Sequence, residues 1–285
     1  NYMCSHLLFM EKEMSLSEKK RIVVKVGTST LTHRSTGKTN LSRMAKLVSV
    51  LADLKNAGHE VVLVSSGAVG IGLAKMMIKN RPDEIRTLQA AAAVGQCELM
   101  FLYDKFFSEY SQVVAQLLCT MEDIENPQSR LHLTDSIEEL LQKDIVPIIN
   151  ENDSVSVHEL LRGDNDCLSA LLAVTVKADI LLLLTDTNGL YDSDPTMNPD
   201  ARLIAEVDHI DDAVEKLAGD SHGTSGTGGF VTKIKAAKIA TNRGIPVVVF
   251  NGANPTKIYK VLAGESVGTY FKAGDEHDRF RIETL

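Results

Sequence analysis

The sequence predicts a three-layer α/β/α sandwich with a mostly parallel central sheet. The 285-residue chain alternates short β-rich runs with helix-compatible stretches, the order typical of an α/β protein. The β-rich runs are apolar at successive positions, as strands covered by helices on both faces require. No internal repeat, low-complexity tract or obvious linker divides the chain, so a single domain is expected.

The elements are predicted in order along the chain. The predicted strands are residues 22–26, 61–64, 113–118, 145–149, 180–184 and 247–250. The predicted helices are residues 42–57, 84–93, 98–109, 129–142, 165–177 and 232–243. The polar stretch 187–209 is expected to be an ordered excursion from the sheet. These elements place one domain at residues 20–272, between a mobile tail at 1–19 and a short tail at 273–285.

Charge and cysteine content exclude several classes of protein. The 30 Lys and Arg against 38 Asp and Glu give a net charge of −8, and an acidic surface repels polyanions. Neither a nucleic-acid partner nor a membrane partner is therefore expected. The 4 cysteines are far apart, which predicts reduced thiols in a cytoplasmic protein and no cysteine-based metal site. The longest early apolar run, residues 7–10, is too short for a signal peptide core or a membrane span.

Ligands of open α/β sheets bind at the carboxyl ends of the strands, so the residues after each strand matter most. Lys25 interrupts the first apolar strand, and Gly27 follows it. A buried ammonium is costly unless it meets an anion, and glycine lets the backbone approach a ligand. A lysine that snorkels from the strand end explains the pattern equally well.

The turn after the second strand contains Ser66 and Gly67 and leads into a helix. Such a turn presents backbone N–H groups and a positive helix end to an anion, although a tight turn that simply needs glycine is the plainer explanation. Residues 150–153 (NEND) and 163–166 (GDND) are more informative, because both lie next to one strand end. Two such clusters exceed what turn and capping chemistry needs, so they are predicted to hold an amino group or to order lysines.

Two further segments suit a nucleotide. Thr185 and Asp186 directly follow the strand at 180–184, where they could contact a nucleotide. The alternative is that they only cap the end of the strand. The glycine-rich stretch 223–229 precedes a basic helix that contains Lys233, an arrangement that suits a triphosphate. The alternative there is a flexible loop with a solvated lysine face, which is what Lys235 and Lys238 are expected to form.

One motif suggests a different enzyme class. Residues 219–223 (GDSHG) match the G-x-S-x-G turn of serine hydrolases, which needs a strand before it and a helix straight after it. A helical stretch, residues 211–218, precedes this match and a glycine-rich loop follows it. A serine hydrolase therefore remains a poor alternative.

The ordered set of motifs resembles the amino acid kinase family. It comprises KVGTS at 25–29, SSGA at 65–68, NEND at 150–153, GDND at 163–166, LTDTNGLY at 184–191 and GTGG at 226–229 with Lys233. The resemblance covers residues 20–272 and is greatest to the members that phosphorylate glutamate. It implies an amino acid kinase-like fold and transfer of the ATP γ-phosphate to the side-chain carboxylate of L-glutamate, the first step of proline synthesis.

The resemblance also implies roles for individual residues. Lys25 and Lys233 would flank the phosphates, while Asp166 orients both lysines and Asp164 supports them. Glutamate would be bound by Ser66, Gly67, Asp153 and Asn165. The ATP site would comprise Lys25, Gly27, Thr185, Asp186, Thr227, Gly228, Gly229 and Lys233. Mg²⁺ would be held mainly by phosphate oxygens and water, without dedicated protein ligands.

Other properties and alternatives follow from the same resemblance. It implies a homo-oligomer and possible feedback inhibition by proline, and many glutamate-phosphorylating members carry a C-terminal RNA-binding-type (PUA) domain. Residues 273–285 are too short for that domain, so none is expected. Acetylglutamate kinase, aspartokinase and uridylate kinase share the lysine and glycine elements, and the two Asn/Asp clusters favour glutamate over their substrates. A non-catalytic regulator of the same fold is a further alternative. The presence of Lys25, Asp166 and Lys233 together counts against it, because a protein that only binds a ligand does not need that combination.

Overall fold

The structure, a computed structural model, describes residues 18–33, 35–156, 165–220 and 229–274, with the Asp220 side chain left out. Within these ranges an eight-stranded sheet runs through the chain. Its strands are β1 Arg21–Val26, β2 Glu60–Ser65, β3 Val114–Cys119, β4 Val146–Glu151, β5 Ile180–Thr185, β6 Glu206–Val207, β7 Val247–Asn251 and β8 Thr269–Phe271. The spatial order is β3-β4-β2-β1-β5-β7-β8-β6, and only the β7–β8 pair is antiparallel. The predicted mostly parallel sheet is confirmed.

The helices lie between these strands in sequence. They are α1 Thr28–Leu31, α2 Leu41–Asn56, α3 Ala68–Lys75, α4 Ile85–Ser108, α5 Met121–Glu125, α6 Pro127–Gln142, α7 Asn165–Thr175, α8 Asp212–Asp220, α9 Phe230–Thr241 and α10 Lys257–Leu262. None of the helices described is long and apolar enough to cross a bilayer. The described cysteines Cys97, Cys119 and Cys167 are in the reduced form.

Both faces of the sheet are buried, as the apolar strands predicted. Val23 of β1 packs in one apolar layer with residues of α6, α7 and α9, including Leu168. Its neighbours Ile22 and Val24 pack in a second layer with α2 and α4, including Leu47. Because successive side chains of a strand point to opposite faces, a strand with apolar residues at nearly every position requires helices on both sides.

The prediction was wrong for one helix and missed several short elements. The two helices expected at 84–93 and 98–109 are one continuous helix, α4, because Gly95 between them serves close helix packing and does not break the helix. The short strands β6 and β8 were not predicted, since two and three residues carry too little pattern. The excursion at 187–209 is ordered, as expected, and it contains β6 and a bridge between Tyr191 and Leu203.

The crossing of α3 and α4 holds the turn after β2 in place. A Cβ atom added to Gly72 would lie 1.8 Å from the Ala91 oxygen, and one added to Gly95 would lie 1.7 Å from the Ala68 oxygen. Both obstacles are backbone atoms, so neither could move without separating the helices. The glycines therefore allow a backbone approach that no other residue permits.

We expect Gly95→Ala to destabilise the chain by about 1–3 kcal/mol, because overpacking forces the two helices apart. Thermal unfolding followed by circular dichroism measures the loss. Gly219→Ala is the matched control for added bulk, because a Cβ there meets nothing within 4 Å and the residue lies in helix α8, where alanine is favourable. Equal stability of Gly95→Ala and the unmodified chain would contradict this account of the crossing.

Candidate active site

Those predicted site residues that the structure describes lie at the carboxyl ends of the central strands. Strand β1 lies between β2 and β5, and Lys25 pairs in register with Val64 and Leu183. Helix α7 begins at Asn165, and its first residues are buried beside these strand ends. The parallel arrangement thus gathers side chains that are far apart in sequence at one edge of the sheet.

Two lysines share one buried aspartate. Lys25 Nζ lies 2.6 Å from Asp166 Oδ1, and Lys233 Nζ lies 3.3 Å from Asp166 Oδ2. The Thr232 hydroxyl also donates to Asp166 Oδ2 at 2.7 Å. Asp166 is 2% exposed and the lysines 7% and 9%, so Lys25 does not snorkel to solvent. Two ammonium groups facing one carboxylate leave a net positive site, which is suited to an anion.

The electrostatics of Asp166 follow from this pairing. Burial opposes ionisation of the carboxyl group, but the charges of Lys25 and Lys233 outweigh it, aided by hydrogen bonds from Lys25 and Thr232. The pKa of Asp166 is therefore held well below its usual range. Asp166 is therefore ionised at neutral pH and can orient both lysines.

The turns after β1 and β2 pack together. The Ser66 N–H donates to the Val26 carbonyl at 3.0 Å, which ties the end of β2 to the end of β1. Gly67 adopts φ of +110°, a conformation that L side chains rarely adopt, and a Cβ there would lie 3.9 Å from Thr28. The backbone conformation therefore requires glycine at this position. The Ser66 hydroxyl before it lies at the N-terminal end of α7. The Asn165 Nδ2 donates to that hydroxyl at 2.8 Å.

A second buried aspartate of the candidate site, Asp153, lies just after the end of β4. It is 5% exposed and follows Glu151, which is 4% exposed. Burial and then the negative charge of Glu151 raise the pKa of Asp153 to about 7, against the opposing charge of Arg81. A buried carboxylate pair of this kind favours a positively charged ligand, because a bound cation relieves the repulsion.

The ends of β5 and β7 lie side by side. The Thr185 hydroxyl donates to Asp186 Oδ1 at 3.2 Å, and the Gly252 N–H donates to the Thr185 carbonyl at 2.8 Å. Gly27 approaches the same region, since a Cβ there would lie 3.9 Å from the Leu184 oxygen. Thr185, Asp186 and Gly27 therefore lie close together.

The glycine-rich stretch is described only at its end. Gly229 caps the N-terminus of α9, and Lys233 lies in the first turns of that helix. Lys235 and Lys238 are exposed, as expected, and Lys238 pairs with Glu215. The predicted site residues Asp164, Thr227 and Gly228 lie outside the described residues. Of the G-x-S-x-G match, only its beginning is described, and helix α8 rather than a strand leads into it.

Comparison with known proteins agrees with this geometry. The model of the amino acid kinase family matches residues 20–251. The chain belongs to the amino acid kinase family. A glutamate 5-kinase from Clostridium perfringens is 49% identical over 263 residues, which cover 91% of this chain and 97% of that protein. A glutamate 5-kinase from Moorella thermoacetica is 50% identical over 261 residues, which cover 92% of this chain and 69% of that protein.

Solved structures of other kinases share the fold of this chain. A carbamate kinase from Giardia lamblia bound to AMP-PNP has a TM-score of 0.62 and 17% identity, and the match covers 90% of this chain and 99% of that one. A UMP kinase from Bacillus anthracis has a TM-score of 0.60 and 16% identity, covering 90% and 97%. The predicted family resemblance and fold class are both confirmed.

Several residues of the site were not singled out by the sequence. Thr232, which bonds Asp166, is an ordinary helix residue beside the predicted Lys233. Asn150 was noticed only as part of a cluster, and it accepts from Asn165 Nδ2 at 2.9 Å. Gln96 donates and accepts in the same network although it lies in α4, far away in sequence. A buried polar residue in an otherwise apolar helix face is the one signal that indicates Gln96.

Proposed function

We propose that this chain transfers the γ-phosphoryl group of ATP to the side-chain carboxylate of L-glutamate. The products are L-glutamyl 5-phosphate and ADP, in the first step of proline biosynthesis. The observation that carries the proposal is the buried pair Lys25 and Lys233, held by Asp166 beside Ser66 and Asn165. The glutamate 5-kinases that match over about nine-tenths of the chain support the choice of substrate.

The chemistry needs positive charge more than a general base. A glutamate side chain has a pKa of about 4.3, so the attacking carboxylate is ionised at neutral pH. The difficulty is bringing one anion up to another, and positioning together with charge stabilisation overcomes it. In our proposal Lys25 and Lys233 flank the transferring group, and Asp166 keeps both ammonium groups directed at it. Asp164 is proposed to support the same cluster.

The remaining residues are assigned to the two substrates. Ser66, Gly67 and Asn165 would bind glutamate, with Asp153 opposite its ammonium group. ATP would bind at a second set, namely Gly27, Thr185, Asp186, Thr227, Gly228 and Gly229 together with the two lysines. The separation of these sets at the ends of β2 and β4 on one side and β5 on the other agrees with in-line transfer between two ligands.

Mg²⁺ is proposed to arrive with ATP. Across the described ranges, no group of three or more His, Cys, Asp or Glu side chains is placed to hold a metal ion. Mg²⁺ keeps several waters and is commonly bound through substrate phosphates, so in our proposal ATP phosphate oxygens and water hold the ion. The ion would neutralise phosphate charge, while the protein residues place the reactants.

ATP consumption in the presence of glutamate, aspartate, acetylglutamate or UMP tests the proposal. We expect turnover with glutamate alone among these acceptors. Turnover with a different acceptor would identify that compound as the substrate in place of glutamate. The phosphotransferase mechanism would still hold. Absence of turnover with every acceptor would instead favour a ligand-binding regulator of the same fold.

The raised pKa of Asp153 predicts a pH dependence. Below pH about 7 the carboxyl group becomes neutral and no longer attracts the substrate ammonium. We therefore expect kcat/KM for glutamate to fall as the pH drops below 7, approaching about tenfold per pH unit. The dependence of kcat should be weaker, because bound ammonium favours the ionised form of Asp153.

Asp153→Asn serves as the control for that dependence. This variant should raise the KM for glutamate much more than the KM for ATP and should lose the titration near pH 7. Equal effects on both substrates would contradict the placement of Asp153 beside the ammonium group. Steady-state kinetics between pH 6 and 8.5 measures both results.

A further inference from the structure

A continuous chain of side-chain hydrogen bonds runs from the edge of the sheet to Ser66. Asn165 Nδ2 donates to Ser66 Oγ at 2.8 Å and to Asn150 Oδ1 at 2.9 Å. Asn150 Nδ2 donates to Gln96 Oε1 at 2.9 Å, and Gln96 Nε2 donates to Gln116 Oε1 at 3.1 Å. We call Gln116, Gln96, Asn150 and Asn165 the amide relay. Gln116 is exposed on the edge strand β3, whereas the other three are at most 9% exposed.

One backbone group fixes the direction of this relay. The oxygen and nitrogen of an amide side chain have nearly the same shape, so their positions follow from their partners. The backbone N–H of Glu151 donates to Asn150 Oδ1 at 2.9 Å, and a backbone N–H can only donate. The oxygen of Asn150 must therefore face Glu151 and Asn165, and its nitrogen must face Gln96.

The orientation of the Asn150 amide determines the orientations of the other amides in the relay. Gln96 must present its oxygen to Asn150, which leaves its nitrogen for Gln116. On the other side, Asn165 must present its amino group to Asn150, and the same amino group reaches Ser66. An amide NH₂ only donates, so Ser66 Oγ accepts this bond. The hydroxyl proton of Ser66 is then left for a partner other than Asn165.

We propose that the amide relay makes Ser66 a hydrogen-bond donor to a carboxylate of the acceptor substrate, with Gln96 as a positioning residue for that contact. This inference rests on the proposed function and assigns the polarity of its glutamate site. The bond from Asn165 uses one acceptor site of the Ser66 hydroxyl and leaves its proton available, and a carboxylate oxygen can accept that proton whereas an ammonium group cannot. The ammonium is proposed to lie beside Asp153, whose carboxylate attracts it.

Gln96 is well placed to hold the relay. It follows Gly95, whose close approach to Ala68 fixes α4 against the helix that begins next to Ser66. Removing the oxygen of Gln96 would leave Asn150 Nδ2 buried without this acceptor, and a buried donor without a partner is unfavourable. Asn150 would then turn towards other partners, and the Asn165–Ser66 bond would lose its fixed direction.

Gln96→Met tests the inference, because methionine keeps the length of the side chain and removes its amide. We expect the KM for glutamate to rise about tenfold, from the loss of one buried hydrogen-bond acceptor. The kcat and the KM for ATP should change by less than about twofold, since the lysines and Asp166 are untouched. Gln116→Met should have a smaller effect, because Gln116 is exposed and water can replace its oxygen.

Gln112→Met is the matched control. Gln112 is also 9% exposed, and its Nε2 donates to the Ala52 carbonyl and to Asn56 Oδ1, which lie in α2 rather than in the amide relay. The same substitution there should lower the melting temperature and leave the KM for glutamate unchanged. A general loss of core packing would raise the KM in both variants, whereas the relay predicts a change for Gln96 alone.

A double-mutant cycle with Ser66→Ala separates a positioning role from a structural one. If Gln96 acts through Ser66, adding Gln96→Met to Ser66→Ala should raise the KM for glutamate by less than about twofold more. Should Gln96→Met fail to fold, Gln96→Ala suits the helix and is expected to raise the KM at least about threefold. An unchanged KM in the folded variant, or full additivity with Ser66→Ala, would overturn the inference. An unmodified chain that does not use glutamate would overturn the proposed function first, and the inference with it.

Discussion

Replacement of Lys25 by alanine is expected to lower kcat at least tenfold, and about 100-fold if the lysine acts like other donors to a developing negative charge. Lys25 Nζ lies 2.6 Å from Asp166 Oδ1, and the residue is 7% exposed, so its charge acts where water is largely excluded. The charge on the transferring phosphoryl group is proposed to be stabilised there. Steady-state kinetics with glutamate and ATP measures the change, and Lys233→Ala is expected to behave similarly.

Lys235→Ala controls for the loss of a positive charge near the site. Lys235 lies on the same helix as Lys233 but is exposed, so its removal should change kcat by less than about twofold. Circular dichroism should show that all three variants remain folded. Near-normal turnover in both Lys25→Ala and Lys233→Ala would refute the assigned mechanism.

Asp166→Asn is expected to damage both stability and turnover. Asparagine keeps the shape of the side chain but leaves the ammonium groups of Lys25 and Lys233 without the carboxylate that they share. Breaking a buried ion pair from one side costs about 3–5 kcal/mol of folding free energy. We also expect kcat to fall at least about 100-fold, because the two lysines repel each other and lose their common orientation. Denaturant unfolding and steady-state kinetics measure the two effects.

The sign of the pH effect gives a second test of Asp166. Its pKa is lowered in the folded state, so its ionisation stabilises the fold above the unfolded pKa of about 3.9. This contribution disappears as the pH falls through the folded pKa, and the stabilities of Asp166→Asn and the unmodified chain should converge in acid. Asp208→Asn removes an exposed partner of Lys272 and should leave the melting temperature unchanged. An Asp166→Asn variant as stable as the unmodified chain at pH 7 would contradict the shared-carboxylate arrangement.

Candidate site residues were easiest to predict from the sequence at positions where backbone geometry or chemistry favours one residue type. Gly67 stands at φ of +110°, and Lys25 stands in a buried strand, so each departs from the local pattern. Asp153 and Asn165 were indicated because their clusters exceed what capping requires. The wrong prediction of two helices in place of α4 has the opposite cause, since Gly95 departs from the helical pattern for a reason that lies in another helix.

The sequence alone determined the fold class, the six longer strands and the lysine and aspartate residues of the candidate site. These features are local, because apolar runs, turn residues and charges in unexpected places are read from neighbouring positions. Only the tertiary structure decided that Lys25 and Lys233 share Asp166, and that Gln96 reaches Asn165 through Asn150. Those contacts join residues far apart in the sequence, 67 positions for Lys233 and Asp166 and more than that for Lys25 and Asp166. Such pairings arise from strand order and helix crossing, for which a linear pattern carries no signal.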